Sequence, residues 1–370
     1  MYDNIVDIAL LEKYYYQVRL STKYRIKILN FEMFYMTNIL RIYEVLKNKQ
    51  YKHSEYNVFL IKEPKYRIIM SEIISDKIVN HLLSNEILLP ILEPKLIDMN
   101  VATRKNKGLK KGIEYVKKYI NSLKINYENI YVLKCDVTKY FYRIDHQILL
   151  EKLKVYIKDE TILKMIENII NTTNDEKNNQ KIENLIRNEK EKLYKTNNRQ
   201  FKEKCKELDN IPFYKKGKGI PIGNMTSQIF AIFYLNDLDH FIKEKLKIKH
   251  YIRYMDDFIL IHWDKEYLKY CLKQIEKEIK KLKLELNKKT RIYDLHQGIN
   301  FLGYRFILKE KKLIILMNKN TKKRIIKKLN KLQKRKSKKY PLVKASYKGY
   351  IINCHCNGFL YRHKWFKKEI

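Results

Sequence analysis

The sequence predicts an α+β protein, and three observations predict it. Apolar, β-branched and aromatic runs come in pairs around short polar turns, at 57–70, 251–262 and 300–316, which is hairpin patterning. Helix-length stretches with apolar residues at 3.6-residue spacing lie between them, for example 71–92 and 229–246. A buried-type strand, 131–136, ends in a carboxylate, Asp136, and an antiparallel sheet would allow the 251–262 hairpin to lie beside it.

The first 50 residues carry helical patterns at 5–16 and 26–46, crowded with Tyr, Phe and Lys. They read either as an amphipathic cap or as a basic-aromatic surface for single-stranded nucleic acid. Next, 57–70 reads as two strands about a Glu63-Pro64 turn. Lys65 and Arg67, two apart, share a strand face, suited to a triphosphate or to a solvated edge. Ser71 is placed to cap a helix running to Leu92. A basic loop, 101–108, precedes a helix at 111–123, an arrangement that can cradle phosphate. After Asp136, Asp145 caps a helix ending near Tyr156. Residues 171–180 are polar and low in complexity, charged helix-like sequence follows to Glu207, and 171–216 as a whole reads as an insertion, partly disordered or folding on RNA. The Gly/Pro loop 217–228 ends in capping residues before the apolar helix, with Gly219 and Gly223 allowing close backbone approach. Beyond the 251–262 hairpin come a Lys-faced helix (265–284), a basic turn (286–292), the 300–316 hairpin and a strongly basic helical tail from Asn318.

Composition narrows the function. Lys and Arg number 79 against 41 Asp and Glu, a formal charge of +38. Such a chain repels itself unless a polyanion neutralises it, and phosphate contacts release condensed counterions, so nucleic acid is the expected partner. A biased genome would enrich Lys, Asn, Ile and Tyr together, but would not raise Lys so far above Glu; a basic ribosome-like scaffold is the other account. The five cysteines are odd in number and form no disulfide framework, which predicts a reducing, cytoplasmic setting. Cys354-His355-Cys356 lacks a second ligand pair at zinc spacing, so zinc is not expected. No signal peptide opens the chain and no apolar run reaches the roughly 18 residues of a membrane span.

The chemistry converges on Tyr254-Met255-Asp256-Asp257, two carboxylates at the tip of an apolar hairpin. Adjacent carboxylates near apolar flanks are costly without a cation. In-line attack of a 3′-oxygen on an α-phosphorus uses two divalent metals, and Mg²⁺ takes few protein carboxylates alongside phosphates and waters. Asp136, Asp256 and Asp257 can supply them if the hairpin lies beside the Asp136 strand. The bland alternative is an ordinary solvated Asp-Asp turn.

At these residues the chain resembles the reverse transcriptases. Tyr254-Met255-Asp256-Asp257 is similar to their catalytic box. The other boxes follow in family order: Lys65-Tyr66-Arg67-Ile68-Ile69, Ala102-Thr103-Arg104-Lys105, Asp136 to Asp145-His146, Pro221 to Gln228, 284–290, and Phe301-Leu302-Gly303-Tyr304. The resemblance, running from about 58 to about 360, implies a right-hand polymerase. It divides the chain into an N-terminal helical basic region (1–57), fingers (58–130), palm with the first carboxylate (131–170), the polar insertion (171–216), palm with the catalytic hairpin (217–317) and a helical basic thumb (318–370).

It further implies two Mg²⁺ ions, replaceable by Mn²⁺, on Asp136, Asp256 and Asp257. Lys65, Arg67 and Arg104 would meet the triphosphate, with Ile222, Gly223 and Gln228 also at the nucleotide. Phe141 would exclude a ribose 2′-hydroxyl, Lys289 would protonate the leaving pyrophosphate, and Gly303 and Tyr304 would grip the primer. Template RNA, primer or cDNA strand and deoxynucleotides are the implied partners, with an accessory protein or a homo-oligomer open and no membrane. Too little chain follows the thumb for a ribonuclease H or endonuclease domain. Ile222 and Gln228 depart from the family's usual Gln and Pro, as in diversity-generating retroelement enzymes, and 345–350 resembles their thumb. Free-standing phage-defence enzymes, protein-primed or template-independent synthesis among them, are the close alternative. A non-catalytic RNA-binding scaffold is the reading from another class.

Overall fold

The computed structural model describes residues 1–23, 25–174, 176–356 and 359. The first half of the chain forms α1 (Ile8–Ser21), α2 (Arg25–Glu32), α3 (Tyr35–Lys47), β1 (Asn57–Ile61), β2 (Arg67–Ser71), α4 (Ile74–Leu83), α5 (Leu89–Leu92), α6 (Leu109–Asn126), β3 (Tyr131–Asp136), α7 (Tyr140–Arg143), α8 (His146–Tyr156) and α9 (Glu160–Asn171). The second half forms α10 (Glu176–Lys195), α11 (Phe201–Asp209), α12 (Met225–Tyr234), α13 (Asn236–His240), β4 (His250–Tyr254), β5 (Asp257–His262), α14 (Lys265–Lys281), β6 (Arg291–Asp294), β7 (Ile299–Phe301), β8 (Tyr304–Lys309), β9 (Lys312–Met317), α15 (Lys319–Lys334) and α16 (Tyr340–Ile351). Helices with antiparallel sheets make this the α+β class the patterning predicts. Among the described residues no helix is long and apolar enough to cross a membrane.

The chain forms two compact units, each assembled from three separated stretches. The first holds Met1–Ile97, Thr138–Asp237 and Glu278–Glu285. Its β1–β2 hairpin pairs from Asn57↔Ser71 to Ile61↔Arg67. Strand alternation sends Val58, Leu60, Ile68 and Met70 to one face, where they join Ile182, Leu193, Leu208 and Ile211 in a single core. Where described, the 171–216 insertion forms α10 and α11, in keeping with the helix-like reading up to Glu207. A narrow stripe on α10, with Ile182 and Leu193 buried and Ile186 packed against them, gives it a face to bury. That stripe is submerged in charged composition.

Several boundaries also move. Ser71 caps no helix, because it stays in the β-ladder opposite Asn57, and α4 begins only at Ile74. A π-helical turn, Ser84–Leu88, then joins α4 to α5. The expected 229–246 helix begins earlier, after Asn224, and ends at Tyr234, giving way to α13 and a π-helical turn at Phe241–Lys245. The cap at Asp145 is as expected, its side chain accepting from the Ile148 amide.

The second unit holds Asp98–Val137, Leu238–Lys277 and Leu286–Ile370. Its four-stranded sheet has the order β4-β5-β3-β6, every pair antiparallel. β7, β8 and β9 form a second sheet. Ile113, Val116 and Ile120 of α6 bury against Val132, Ile252, Ile259 and Ile261 of the first sheet and Phe301, Tyr304 and Phe306 of the second. One core thus fixes α6 and both sheets, each fully buried aliphatic side chain contributing about 1.5–3 kcal/mol. A smaller core, with Ile325, Leu329 and Ile351, ties α15 to α16.

Candidate active site

The site is built by register. β3 and β5 pair antiparallel from Tyr131↔His262 to Asp136↔Asp257, so Asp136 and Asp257 stand directly opposite on the same sheet face. Tyr254↔Asp257 closes the β4–β5 ladder, leaving Met255 and Asp256 as a two-residue turn. Such a turn needs a positive φ, and Met255 supplies it at 58°. A non-glycine residue there costs about 1–3 kcal/mol, so the surroundings must hold it.

Arg253 holds it. Its guanidinium donates to the Met255 carbonyl at 2.8 Å and, through Nε at 2.7 Å and through Nη2, to Asp239. Tyr251 Oη donates to the same carboxylate at 2.7 Å. Both members of the ion pair have fully buried side chains. The Arg253 backbone binds the Met99 carbonyl and the Val101 amide, tying β4 to the start of the 101–108 loop.

All three carboxylates have raised pKa values, with burial the largest cause in each. Burial pushes the Asp256 carboxyl up to about 7, and the Asp136 charge adds to the shift. Burial pushes Asp257 up to about 6 against the pull of Lys134. Burial also raises Asp136, opposed by Lys134 and by a hydrogen bond from Asn287. Lys134 Nζ lies 3.3 Å from Asp257 Oδ2 and donates to the Asn300 carbonyl at 2.7 Å. Asn287 donates from Nδ2 to Asp136 Oδ2 at 3.2 Å and from its amide to the Asp136 carbonyl at 2.7 Å. The Lys289 amide binds Asn287 Oδ1, and its exposed charge also draws the Asp136 pKa down.

These residues fit divalent cations. Asp257 Oδ1 is buried without a hydrogen-bond partner, an acceptor left for a cation. Crowded carboxylates with raised pKa values lack positive charge. Among the described residues no three His, Cys, Asp or Glu side chains form a ready metal cage. A closed cage is not what Mg²⁺ bound with substrate phosphates requires.

Arg104, in the same unit, donates from Nη1 to the Asn100 carbonyl at 3.0 Å. Gly303 turns at φ 83°, and a Cβ there would stand 2.8 Å from Tyr350 Oη, which donates to the Gly303 carbonyl. Tyr304 requires a correction: its side chain is buried in the unit's core and cannot grip a strand at the surface. It instead stacks on Tyr350 at 4.4 Å and donates to the Tyr350 carbonyl at 2.8 Å, so it supports the turn from beneath. Of the 354–356 run, His355 pairs through both its amide and Nδ1 with Ile315, and both thiols donate to the Ile351 carbonyl.

The other candidates gather in the first unit. Arg67 opens β2 and is exposed, while Lys65 lies exposed in the bend before it rather than in the strand. The Met70 amide donates to the Ile222 carbonyl at 2.9 Å, docking the 217–228 loop on the end of β2. Gly223 must be glycine: φ is 142° and a Cβ would lie 2.4 Å from the Met70 carbonyl oxygen. The Ile220 amide binds the Phe141 carbonyl at 2.8 Å, placing half-buried Phe141 beside the loop, and Gln228 is exposed on α12. Beneath the loop, Asn224 donates to Tyr56 Oη, and Thr226 donates to Asn80, which donates to Glu72.

Sequence reasoning missed Lys134, Asn287, Arg253 and Asp239. Lys134 had a signal, since it lies two residues before Asp136 and so on the same strand face. Asn287 and Asp239 had none, because their partners are distant in sequence.

A family model described as reverse transcriptase (RNA-dependent DNA polymerase) matches residues 45–306. No curated protein matches the sequence significantly. Among solved structures, telomerase from Candida albicans with a fragment of telomeric RNA is similar at 15% identity and a TM-score of 0.47, over 74% of this chain and 46% of that one. Apo telomerase from Candida tropicalis, truncated of its C-terminal domain, is similar at 14% identity and a TM-score of 0.46, over 76% and 60%. The chain thus spans roughly half the length of the telomerase chains it resembles.

Proposed function

The chain belongs to the reverse transcriptase family, whose fold is the right-hand polymerase, and on that premise we propose that it copies a dedicated RNA into DNA by two-metal nucleotidyl transfer. The observation that carries this is the Asp136↔Asp257 register with Asp256 in the adjoining turn. Asp136, Asp256 and Asp257 would hold Mg²⁺, or Mn²⁺ in its place. Bound there, the ions would stabilise charge on the attacking and leaving oxygens. The chain's own residues do the rest: Lys65, Arg67 and Arg104 bind triphosphate oxygens, and Lys289 Nζ gives a proton to the departing pyrophosphate. The Phe141 ring excludes a 2′-hydroxyl, Ile222, Gly223 and Gln228 line the nucleotide and template, and Gly303 meets the primer. The five free thiols fit a cytoplasmic setting.

The biological reading we favour is a diversity-generating retroelement or a similar bacterial system, supported by Ile222 and Gln228 in the 217–228 loop. Phage defence, including protein-primed or template-independent synthesis, is the alternative. Primer extension on an annealed RNA–DNA substrate tests the chemistry. Asp256→Asn should lower synthesis by about 100-fold or more while RNA binding by gel shift persists. Normal extension by the variant would overturn the metal assignment. RNA binding without synthesis by the unaltered protein would favour a scaffold. Sequencing nucleic acid that copurifies with the two forms separates the biology: adenine-directed errors in one cDNA mean diversification, and accurate or homopolymeric cDNA means defence.

A further inference from the structure

The β1–β2 hairpin projects Lys65 and Arg67, yet an isolated two-stranded hairpin is marginally stable in water. Here one face is covered. Val58, Leu60, Ile68 and Met70 share a core with Ile182 and Leu193 of α10 and Leu208 of α11. The tip, 62–65, lies beyond that core and is exposed.

What reaches the tip is Glu189, a residue of α10. Its carboxylate is largely buried and takes two partners, Lys62 Nζ on the β1 side of the turn and Tyr66 Oη, at 3.2 Å, on the β2 side. One acidic group therefore staples both arms of the tip. Strand alternation explains the division of labour. The ladder ends at Ile61↔Arg67; just beyond it Lys62 and Tyr66 turn to Glu189 on the side of Leu60 and Ile68, whereas Arg67 pairs across from Ile61, on the other face of the ladder. Glu189 draws one cation to the back of the hairpin and leaves Arg67 free on the front.

The rest of the helical pair is anchored for the same load. Lys177 and Lys181 of α10 both pair with Glu55, just before β1, and Lys181 also donates to the Tyr56 carbonyl. Asn179 and Tyr214 exchange two hydrogen bonds, at 2.9 and 3.0 Å, fixing the exit from the insertion. Lys190 and Asp209 tie α10 to α11.

We propose that the α10–α11 pair is a strut for the nucleotide-handling hairpin, and that Glu189 is a positioning residue that sets affinity for the incoming deoxynucleoside triphosphate. This rests on the polymerase reading above. Glu189 does not touch nucleotide. It removes the ordering cost that a loose tip would add each time Lys65 and Arg67 closed on a triphosphate.

The test uses the full chain with Glu189→Gln, Glu189→Asp, Lys62→Met and the Lys62→Met/Glu189→Gln pair. Two readouts are taken: deoxynucleotide KM and kcat on a saturating annealed substrate, and amide hydrogen exchange at 61–67. The strut predicts that Glu189→Gln raises KM roughly tenfold, leaves kcat and template–primer affinity within about twofold, and speeds exchange at the tip. Glu189→Asp should recover part of the loss, and the double variant should be no worse than the poorer single one. Unchanged exchange in Glu189→Gln overturns the strut whatever the enzyme does. Faster exchange with unchanged KM overturns the positioning role. A parallel fall in kcat, template–primer affinity and thermal stability also overturns it, because that is the signature of general unfolding. An unaltered protein that incorporates no nucleotide refutes the polymerase reading and the nucleotide role with it, while hydrogen exchange at the tip of Glu189→Gln still decides whether the strut exists.

Discussion

Arg253 and Asp239 meet in an ion pair from which water is wholly excluded, and the same guanidinium holds the Met255 carbonyl of the carboxylate-bearing turn. Removing one partner leaves a buried charge uncompensated, which costs about 3–5 kcal/mol. Asp239→Asn and Arg253→Met should each lose that much in urea denaturation. The paired change Arg253→Met/Asp239→Leu should regain most of the stability but no synthesis, because the Met255 carbonyl still lacks its donor. Recovery of activity in the pair would show that the turn holds itself.

The carboxylate cluster should be a source of instability until cations arrive. Asp256, with its pKa pushed up to about 7, resists ionisation in the fold far more than in the unfolded chain. At neutral pH, Asp256→Asn should therefore stabilise the chelator-treated protein, by a figure of order 2 kcal/mol. Added Mg²⁺ should raise the Tm of the unaltered protein and hardly move that of the variant. Equal Mg²⁺ shifts in both would place the cation elsewhere.

A separate pH dependence is expected from His53. Its side chain is fully buried, with Nδ1 bonded to the Ser54 carbonyl and Nε2 3.7 Å from Glu72. Burial opposes the charged ring, but Glu72 and Asp76 more than offset it, and the pKa rises from 6.5. Folding therefore favours the protonated form. The stabilisation is complete below pH 6.5 and is lost as pH climbs through the raised value. Denaturant midpoints measured upward from about pH 6 should fall for the unaltered protein and stay flatter for His53→Gln. Parallel slopes would exclude His53 as the cause.

Phe141→Ala should admit ribonucleotides. The ratio of kcat/KM for a deoxynucleotide over its ribonucleotide should drop by about tenfold or more, since a steric filter is lost without a new contact. An unchanged ratio would remove Phe141 from sugar selection.

Much of this architecture was legible because it is periodic or adjacent. The Tyr254–Asp257 hairpin, the Asp136 strand and the Asp145 cap each rest on neighbouring residues. What stayed hidden depends on distant contacts. Ser71 has a capping side chain, yet a cross-strand partner at Asn57 keeps it extended. The charged 181–207 sequence reads as helix-like, but composition averages away the stripe of few apolar residues that shows which face of α10 is buried. Tyr304 follows an exposed turn glycine, and only the core around it reveals that its ring points inward. Asp239 becomes interpretable only once α13 is placed against β4.

The interleaving of the two units carries a consequence for synthesis of the chain. The stretch 131–136 leaves the ribosome well before 257–262, the strand it pairs with, and 291–294, its other neighbour, follows later still. At about 5–20 residues per second, that strand waits of order ten seconds with both edges open and Val132, Leu133 and Cys135 uncovered. Lys134 and Asp136 interrupt that apolar run, and charges so placed disfavour intermolecular strand pairing. Lys134→Val should therefore increase aggregation during cell-free synthesis, and an unchanged soluble yield would count against this protection.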